Sequence, residues 1–311
     1  MNATQPARIA PLAARVLALV ALAPIAISAS AHGAAPSPAN ASGANASTAA
    51  AGGRTGAAVP AAPARRAAVA ALPEPRPGQQ CRGTIYLTFD TGSQSQAGLI
   101  AAVLKRQAVK ATFFLANEKT VNGDYSLDPA WAGYWRERAM EGHAFGSHTF
   151  DHTYYVRDAA NGKITVKPQF GPQAGRAQDW TPQQYCAELK RVDQRFAELT
   201  GQRLDPFWRA PGGKTSPRTL AAGQQCGYRH AAWATPAGFS GDELPVARAS
   251  NAQLLKRALD GLRDGDIFMA HMGIWSRQDP WAPANLEPLI EGLKQKGYCF
   301  ATLRDHPDYR Q

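Results

Sequence analysis

The chain is 311 residues long and carries 34 Lys and Arg against 24 Asp and Glu, a net charge of +10 at neutral pH. That length suits one large domain or two modest ones. The basic residues are scattered and form no stripe, which argues against a dedicated nucleic-acid surface and for anionic surroundings such as a cell envelope or its polymers. Residues 1–76 contain no Phe, Tyr or Trp, so only the remainder has the large apolar side chains that can offset chain entropy.

Arg8 and Arg15 precede an apolar run over residues 16–27, interrupted by Pro24, and Ala29-Ser30-Ala31 follows as a small-residue cleavage site. Charged start, apolar middle and small-residue end predict a secretory signal over 1–31, and hence an exported, periplasmic or secreted protein. The run is short for a bilayer span, so no stable membrane span remains after cleavage; an uncleaved anchor is the alternative. Residues 32–76 read as a flexible Ala/Pro/Gly tether. The folded domain is expected over 77–311.

Within it, strands are predicted at 85–89, 111–115, 144–147, 206–208, 230–233, 267–270 and 298–303. Helices are predicted at 99–107, 129–140, from Thr181 onward, from Ser216-Pro217 to Gly223 or Gly227, 251–263 and 286–295. In the helix opened by Thr181 and Pro182, Glu188 and Lys190 are assigned to the outer face. Strand–helix alternation implies a parallel sheet covered by helices, and this number of units predicts a distorted (β/α) barrel of about seven or eight parallel strands. Two long connections, 117–128 and 153–180, leave carboxyl ends of strands, where barrel enzymes place substrate loops. The second holds Asn161-Gly162 between two short apolar runs, a hairpin signal, and reads as a lid or groove wall.

The four cysteines contain no C-x-x-C pair, and an even count in an exported chain favours disulfides. Cys81 precedes the first core strand and Cys299 lies in the last. Barrel closure makes those strands neighbours, so the expected pairs are Cys81–Cys299 and Cys186–Cys226, with four free thiols as the alternative.

Four polar residues stand at the ends of apolar strands: Asp90, His148, Arg209 and His271. In a parallel barrel all four open on one face and together mark a catalytic mouth. His148 and His152, four apart, would lie on one side of a helical turn and grip one metal ion; a chance surface pair is the bland reading. His143 is assigned a structural hydrogen bond, and His32, His230 and His306 no chemistry. Trp275, Trp281, Tyr154 and Tyr155 lie near the mouth. They read as sugar-stacking rings or, for the tryptophans equally, as core; Trp208 and Trp233 are assigned to the core.

Thr88-Phe89-Asp90, His148-Thr149-Phe150-Asp151-His152, Arg209-Ala210-Pro211-Gly212-Gly213 and Ile267-Phe268-Met269-Ala270-His271, with Gly142-His143 ahead of the histidine pair, resemble the ordered motifs of the polysaccharide deacetylase (NodB-homology) family. The resemblance covers about residues 81–303. It implies a distorted barrel that removes N-acetyl groups from GlcNAc-containing envelope polysaccharide or chitin-like chains, with a divalent metal, commonly zinc, held by His148 and His152. Asp90 would be the general base, His271 the general acid, and Arg209 the residue that holds the base. Trp275, Trp281, Tyr154, Met269 and Gly212 would face the substrate, with Met269 and Phe268 walling a slot for the acetyl methyl.

Two positions depart from the family pattern. Thr91 stands where the family has a second aspartate that completes the metal site, and a neutral hydroxyl is a far weaker zinc ligand. The alternatives at this position are Asp90 as the ligand, a water that fills the gap, or an empty site. Beyond Trp233, Pro236 breaks the expected Asp-x-x-Asp-Trp pattern that supports the arginine, and Asp242 and Glu243 lie further on. A carbohydrate-binding protein with weakened chemistry, an O-deacetylase and a small-molecule amidohydrolase are the competing readings.

Overall fold

The computed structural model describes residues 80–234 and 241–310; the expected signal segment and tether, and Pro236, lie outside the described residues. In chain order the elements are β1 (Gly83–Asp90), α1 (Ala97–Arg106), β2 (Thr112–Leu115), α2 (Ala132–Met140) and β3 (Ala144–Ser147). Then come β4 (Tyr154–Asp158), β5 (Ile164–Lys167), β6 (Gln178–Trp180), α3 (Pro182–Thr200), β7 (Phe207–Trp208), α4 (Pro217–Gln225) and β8 (Arg229–His230). The chain finishes with α5 (Asn251–Gly261), β9 (Ile267–His271), α6 (Trp281–Gln295) and β10 (Tyr298–Phe300). Among the described residues no helix is long and apolar enough to cross a membrane.

Seven strands form one curled sheet in the order β10-β1-β2-β3-β7-β8, with β9 also on β1, and every pairing is parallel. Beyond β8 the Ala234 N–H donates to the Ile267 carbonyl at 2.9 Å, so the sheet curls back to β9 through one bond rather than a continuous ladder. The expected distorted barrel is therefore present, incompletely closed. The strands at 230–233 and 298–303 are shorter than predicted, ending at His230 and Phe300. Three helices start as their caps dictate: Thr181, Ser216 and Ser250 each close a reciprocal capping box, and Pro follows directly at the first two.

Side-chain alternation along the strands sorts residues between two faces. Ile85, Leu87, Phe89, Phe113, Leu115, Phe145, Phe268 and Ala270 enter the main core beneath the helices. Tyr86, Phe114, Ala144, Phe207 and Ile267 form a separate cluster on the inner face. Continuing the same period of two along that inner face leads to Thr88 and Asp90, to His148, to Arg209, and to Met269 and His271. Gly146 lies among these residues because nothing larger fits: a Cβ there would sit 2.7 Å from the Phe114 ring and 2.9 Å from Phe207. Above the barrel, β4, β5 and β6 make a small antiparallel sheet around the predicted hairpin, where Asn161 and Gly162 both adopt positive φ.

Cys81 is bonded to Cys299, across the β1–β10 pairing that sets Thr84 opposite Cys299. The second expected bridge is absent. Cys186 and Cys226 are free neighbouring thiols; the Cys226 thiol turns back to the Ala222 carbonyl of its own helix at 3.3 Å. Burial, and then the Cys186 side chain beside it, push the Cys226 thiol up to about 12, which suppresses the thiolate needed for exchange. Peptide mapping under non-reducing conditions should recover one linked pair, Cys81 with Cys299, and two alkylatable thiols. Cys81→Ala should lower unfolding free energy by about 2–5 kcal/mol in denaturant titration, because the bond closes most of the folded chain into one loop. An unchanged transition midpoint would show that the bridge does not restrain the unfolded state.

Candidate active site

Strand register builds the site. Asp90 pairs with His271 at the last rung of β1 and β9, and Ser147 pairs with Trp208 at the last rung of β3 and β7, so His148 and Arg209 leave their strands at one level. The structure thus gathers the four strand-end residues singled out in the sequence.

Arg209 is fully buried and Asp90 is 2% exposed. The Arg209 Nη1 donates to Asp90 Oδ1 at 2.7 Å and to Thr88 Oγ1 at 2.8 Å, while its Nε donates to the Ala231 carbonyl at 3.1 Å. The Phe114 ring covers the guanidinium at 4.1 Å. Burial alone would raise the Asp90 pKa, but Arg209, then His148 and His271, outweigh it and hold the carboxyl below its ordinary value. Asp90 is therefore an ionised carboxylate with one oxygen fixed.

Its free oxygen, Oδ2, faces His148 Nε2 at 3.6 Å. His148 Nδ1 lies 3.0 Å from the Arg209 carbonyl, which can only accept, so Nδ1 carries the hydrogen and Nε2 a bare lone pair. Burial is the main reason the His148 pKa falls to about 3, which keeps the ring neutral. His152 Nδ1 is buried with no hydrogen-bond partner among the described residues, and the two imidazole rings stand 4.9 Å apart, centre to centre.

The expected helical turn between these histidines is not there. Residues 148–153 form a tight turn in which Thr149 and His152 take φ of 61° and 46°, left-handed values that no helical turn contains. Glu188 explains the difference, and its outer-face assignment is overturned. It is 3% exposed, and its carboxylate accepts the Asp151 N–H at 2.7 Å and the Thr153 hydroxyl at 3.1 Å. Arg191 joins Glu188 to the Asp151 side chain at 2.8 and 2.9 Å.

On the opposite wall, His271 Nδ1 lies 3.1 Å from Asp242 Oδ2, and the His271 N–H donates to the same oxygen at 2.7 Å. His271 Nε2 is 3.4 Å from Glu243 Oε1. Burial works against the charged ring, but Asp242 above all, then Asp90 and Glu243, raise its pKa to about 10. The imidazolium thus persists at neutral pH beside an ionised Asp90. Asp242, to which the sequence analysis assigns no role, has His271 as its partner. A signal existed, since Asp242 and Glu243 are the only acidic residues between Asp205 and Asp260.

The other expected site residues divide. Tyr154 is half-buried against the His152 ring at 5.1 Å, and Gly212 backs it so closely that a Cβ would lie 3.1 Å from the Tyr154 ring. Trp275, four residues beyond His271, is 62% exposed. Trp281 is 3% exposed and packs on Phe268 at 5.5 Å, because α6 begins there, five residues earlier than predicted, and turns its first residue inward. Phe268 points into the same core, so only Met269 of the proposed slot lies on the inner face. His143 is structural as expected, its Nδ1 accepting the Ala111 N–H at 3.0 Å.

Among the described residues no three of His, Cys, Asp and Glu converge to hold a metal ion. The donor atoms nearest to that role are His148 Nε2 and Asp90 Oδ2, 3.6 Å apart, and the buried His152 Nδ1, which has no hydrogen-bond partner among the described residues.

Residues 78–231 match the family model for polysaccharide deacetylase. Peptidoglycan-N-acetylmuramic acid deacetylase PdaA of Bacillus subtilis is 26% identical over 227 residues, 71% of this chain and 70% of that protein. The chitooligosaccharide deacetylase of Azorhizobium caulinodans is 25% identical over 234 residues, 72% and 94% of the two chains. The fold matches the crystal structure of B. subtilis PdaA, described as a family 4 carbohydrate esterase, with a TM-score of 0.51 and 24% identity over 74% of this chain and 82% of that one. It also matches a family 4 pseudoenzyme from Bacillus anthracis, with a TM-score of 0.52 and 16% identity over 72% and 65%.

Asp242→Asn should lower the His271 pKa by roughly one to three units, by loss of the nearest opposite charge. A histidine whose pKa is raised on folding adds stability that is complete below its unfolded value and vanishes as pH rises through the folded one. Wild type should therefore exceed Asp242→Asn in stability most at neutral and acid pH, the gap closing near pH 10. Chemical denaturation across pH checks this; a gap that does not vary with pH would exclude the ion pair as its source.

Proposed function

Because the chain belongs to the polysaccharide deacetylase family, we propose that it is an exported, metal-dependent hydrolase removing N-acetyl groups from GlcNAc-containing envelope polysaccharide or chitin-like chains. The observation that carries this reading is the pairing of Asp90 with His271 on the last rung of β1 and β9, each beside a counter-charge of its own, Arg209 for the carboxylate and Asp242 for the imidazole. Amide hydrolysis needs both at once, a base to take a proton from water and an acid to give one to a poor leaving group.

His148 and His152 would hold the cation, zinc in this proposal, which when bound would supply Lewis acidity toward the acetyl carbonyl. Asp90 Oδ2 accepts the proton of the attacking water, since Oδ1 is committed to Arg209. His271 Nε2 delivers a proton to the departing amine, while Asp242 keeps the ring oriented through Nδ1. Met269 lies below on the inner face, where an acetyl methyl would point. Tyr154 beside His152, backed by Gly212, and the exposed Trp275 offer faces for sugar rings, and the net positive charge favours an anionic envelope. Loss of the carboxylate at Thr91 favours a second reading, a sugar-binding protein with weakened chemistry.

Acetate release from acetylated glycans, run with zinc analysis of the purified chain, separates the two. The deacetylase reading expects stoichiometric zinc and turnover, both lost in the double variant His148→Ala, His152→Ala. Sugar binding without acetate release would establish the second reading. His271→Ala should slow amide substrates at least a hundredfold more than aryl acetates, because an aryloxide departs without protonation. Equal losses would remove His271 as the acid.

A further inference from the structure

Arg277 lies in the loop between β9 and α6, six residues beyond His271, and is 5% exposed. The other two buried arginines each contact a carboxylate, Arg138 with Glu141 at 2.6 Å and Arg209 with Asp90 at 2.7 Å. Arg277 forms no ion pair among the described residues. A buried guanidinium without a carboxylate is costly, and an apolar side chain would fill the same space. What an arginine adds is several donors held in one plane. Nη1 donates to the Leu244 carbonyl at 2.6 Å, and Nη2 to the Ala249 carbonyl at 3.2 Å and to Asn251 Oδ1 at 2.6 Å. Nε has no partner among the described residues, so every hydrogen bond of this guanidinium ends between residues 244 and 251. Asn251 is itself fixed, its Nδ2 donating to Asp279 Oδ2 at 2.8 Å and its carbonyl accepting from Asn285 Nδ2 at 2.9 Å.

The clamped segment is the one that carries Asp242, two residues before Leu244. Among the described residues, hydrogen bonds leave residues 242–249 at two places. Asp242 accepts the His271 N–H and faces Nδ1, and the Leu244 and Ala249 carbonyls accept from Arg277. Within the segment, the Arg248 and Ala249 N–H groups turn back to the Pro245 carbonyl at 2.8 and 3.2 Å. Leu244 and Ala249 also pack on the main core. The β9–α6 loop therefore grips the segment twice, with the acid at its start and Arg277 further along. Asp242, His271 and Arg277 border one small cavity.

We propose that Arg277 is a positioning residue for the acid, holding Leu244 and Ala249 so that Asp242 stays against His271 Nδ1. Its catalytic consequence rests on the deacetylase reading; the clamp does not. His271 is faced by Asp242 and Glu243 from their turn, by Asp90 from β1 and by Arg277 across the cavity. The field of Arg277 works against a charged imidazole, since like charges disfavour one another. Holding Asp242 in place works in its favour. The two effects have opposite signs, so the direction of a change identifies which one operates.

NMR titration of the His271 ring in the full chain, assigned by the signal lost in His271→Gln, reads the clamp without turnover. Arg277→Met removes the donors and keeps the length. The His271 pKa should fall by about one unit, toward its value in Asp242→Asn. Added to Asp242→Asn, the same change should lower it no further. A rise or an unchanged value would overturn the inference, because loss of a cation alone cannot lower the pKa of a neighbouring imidazole. An equal fall in both backgrounds would overturn it as well. Arg277→Lys keeps the charge without the planar fork and serves if the methionine variant does not fold. There too the pKa should fall, and a wild-type value would sink the proposal. In acetate release, Arg277→Met should slow amides at least tenfold more than aryl acetates; equal losses would overturn the link to the acid. A lowered His271 pKa in a chain that releases no acetate would leave the clamp standing and defeat the deacetylase reading.

Discussion

The buried Arg209–Asp90 ion pair is the constraint on which the rest of the site depends. Both partners are removed from water, so each stabilises the charged form of the other. Removing one partner from such a pair typically costs about 3–5 kcal/mol, since the survivor is left as an unpaired buried charge. The arginine does more than neutralise. Its side chain fixes one oxygen of the base, and its own carbonyl sets the tautomer of His148. One residue at the end of β7 thereby decides which oxygen is open on Asp90 and which nitrogen is bare on His148. With Thr88 and the Ala231 carbonyl as further acceptors, it also ties β1 to the segment after β8, across the inner face where ladder hydrogen bonds are sparse.

A base and an acid on one rung would ordinarily share one proton and cancel. Here each has a private counter-charge: Arg209 for Asp90, Asp242 for His271. The first stabilises the deprotonated form of its partner and the second the protonated form, so two neighbours titrate in opposite directions. The environments that push them apart come from different parts of the chain, a barrel strand and the loop before α5. Asp242 and Glu243 favour the charged form of His271, and that charge in turn helps hold the Asp90 carboxyl low.

Much of this was legible in the sequence because strands announce themselves by apolar runs and their ends by the first polar residue. The inner-face set 86/88/90, 144/146/148 and 267/269/271 follows from a period of two. What was misread depended on partners from distant elements. Glu188 lies at helical spacing from Tyr185 and Val192, within the buried stripe of α3, and a strict count would have placed it inward. Its charge argued for solvent, and only the turn at 148–153, with amides needing an acceptor, shows why that expectation failed. Trp281 was open to either reading because a helix start was placed too late. Cys186 and Cys226 were paired by elimination. Proximity followed, but the bond did not.

The histidine turn shows how such a partner changes local structure. Two residues four apart suggested a helix, the cheapest way to align their side chains. A helix after β3 would carry His152 away from the strand end and onto the outside of the barrel. The left-handed residues Thr149 and His152 fold the chain back instead, and conformations of this kind cost of order 1–3 kcal/mol each outside glycine. The compensation is visible: Glu188 collects an amide and a hydroxyl from the turn, Arg191 clamps Glu188 to Asp151, and the Thr153 N–H donates to Thr149 Oγ1 at 2.6 Å. Strain held in place by a buried carboxylate network is expected where side-chain position matters more than stability. The turn leaves His152 Nδ1 without a hydrogen-bond partner among the described residues and His148 Nε2 facing Asp90 Oδ2 at 3.6 Å, so what the strain secures is two imidazoles beside an ionised carboxylate.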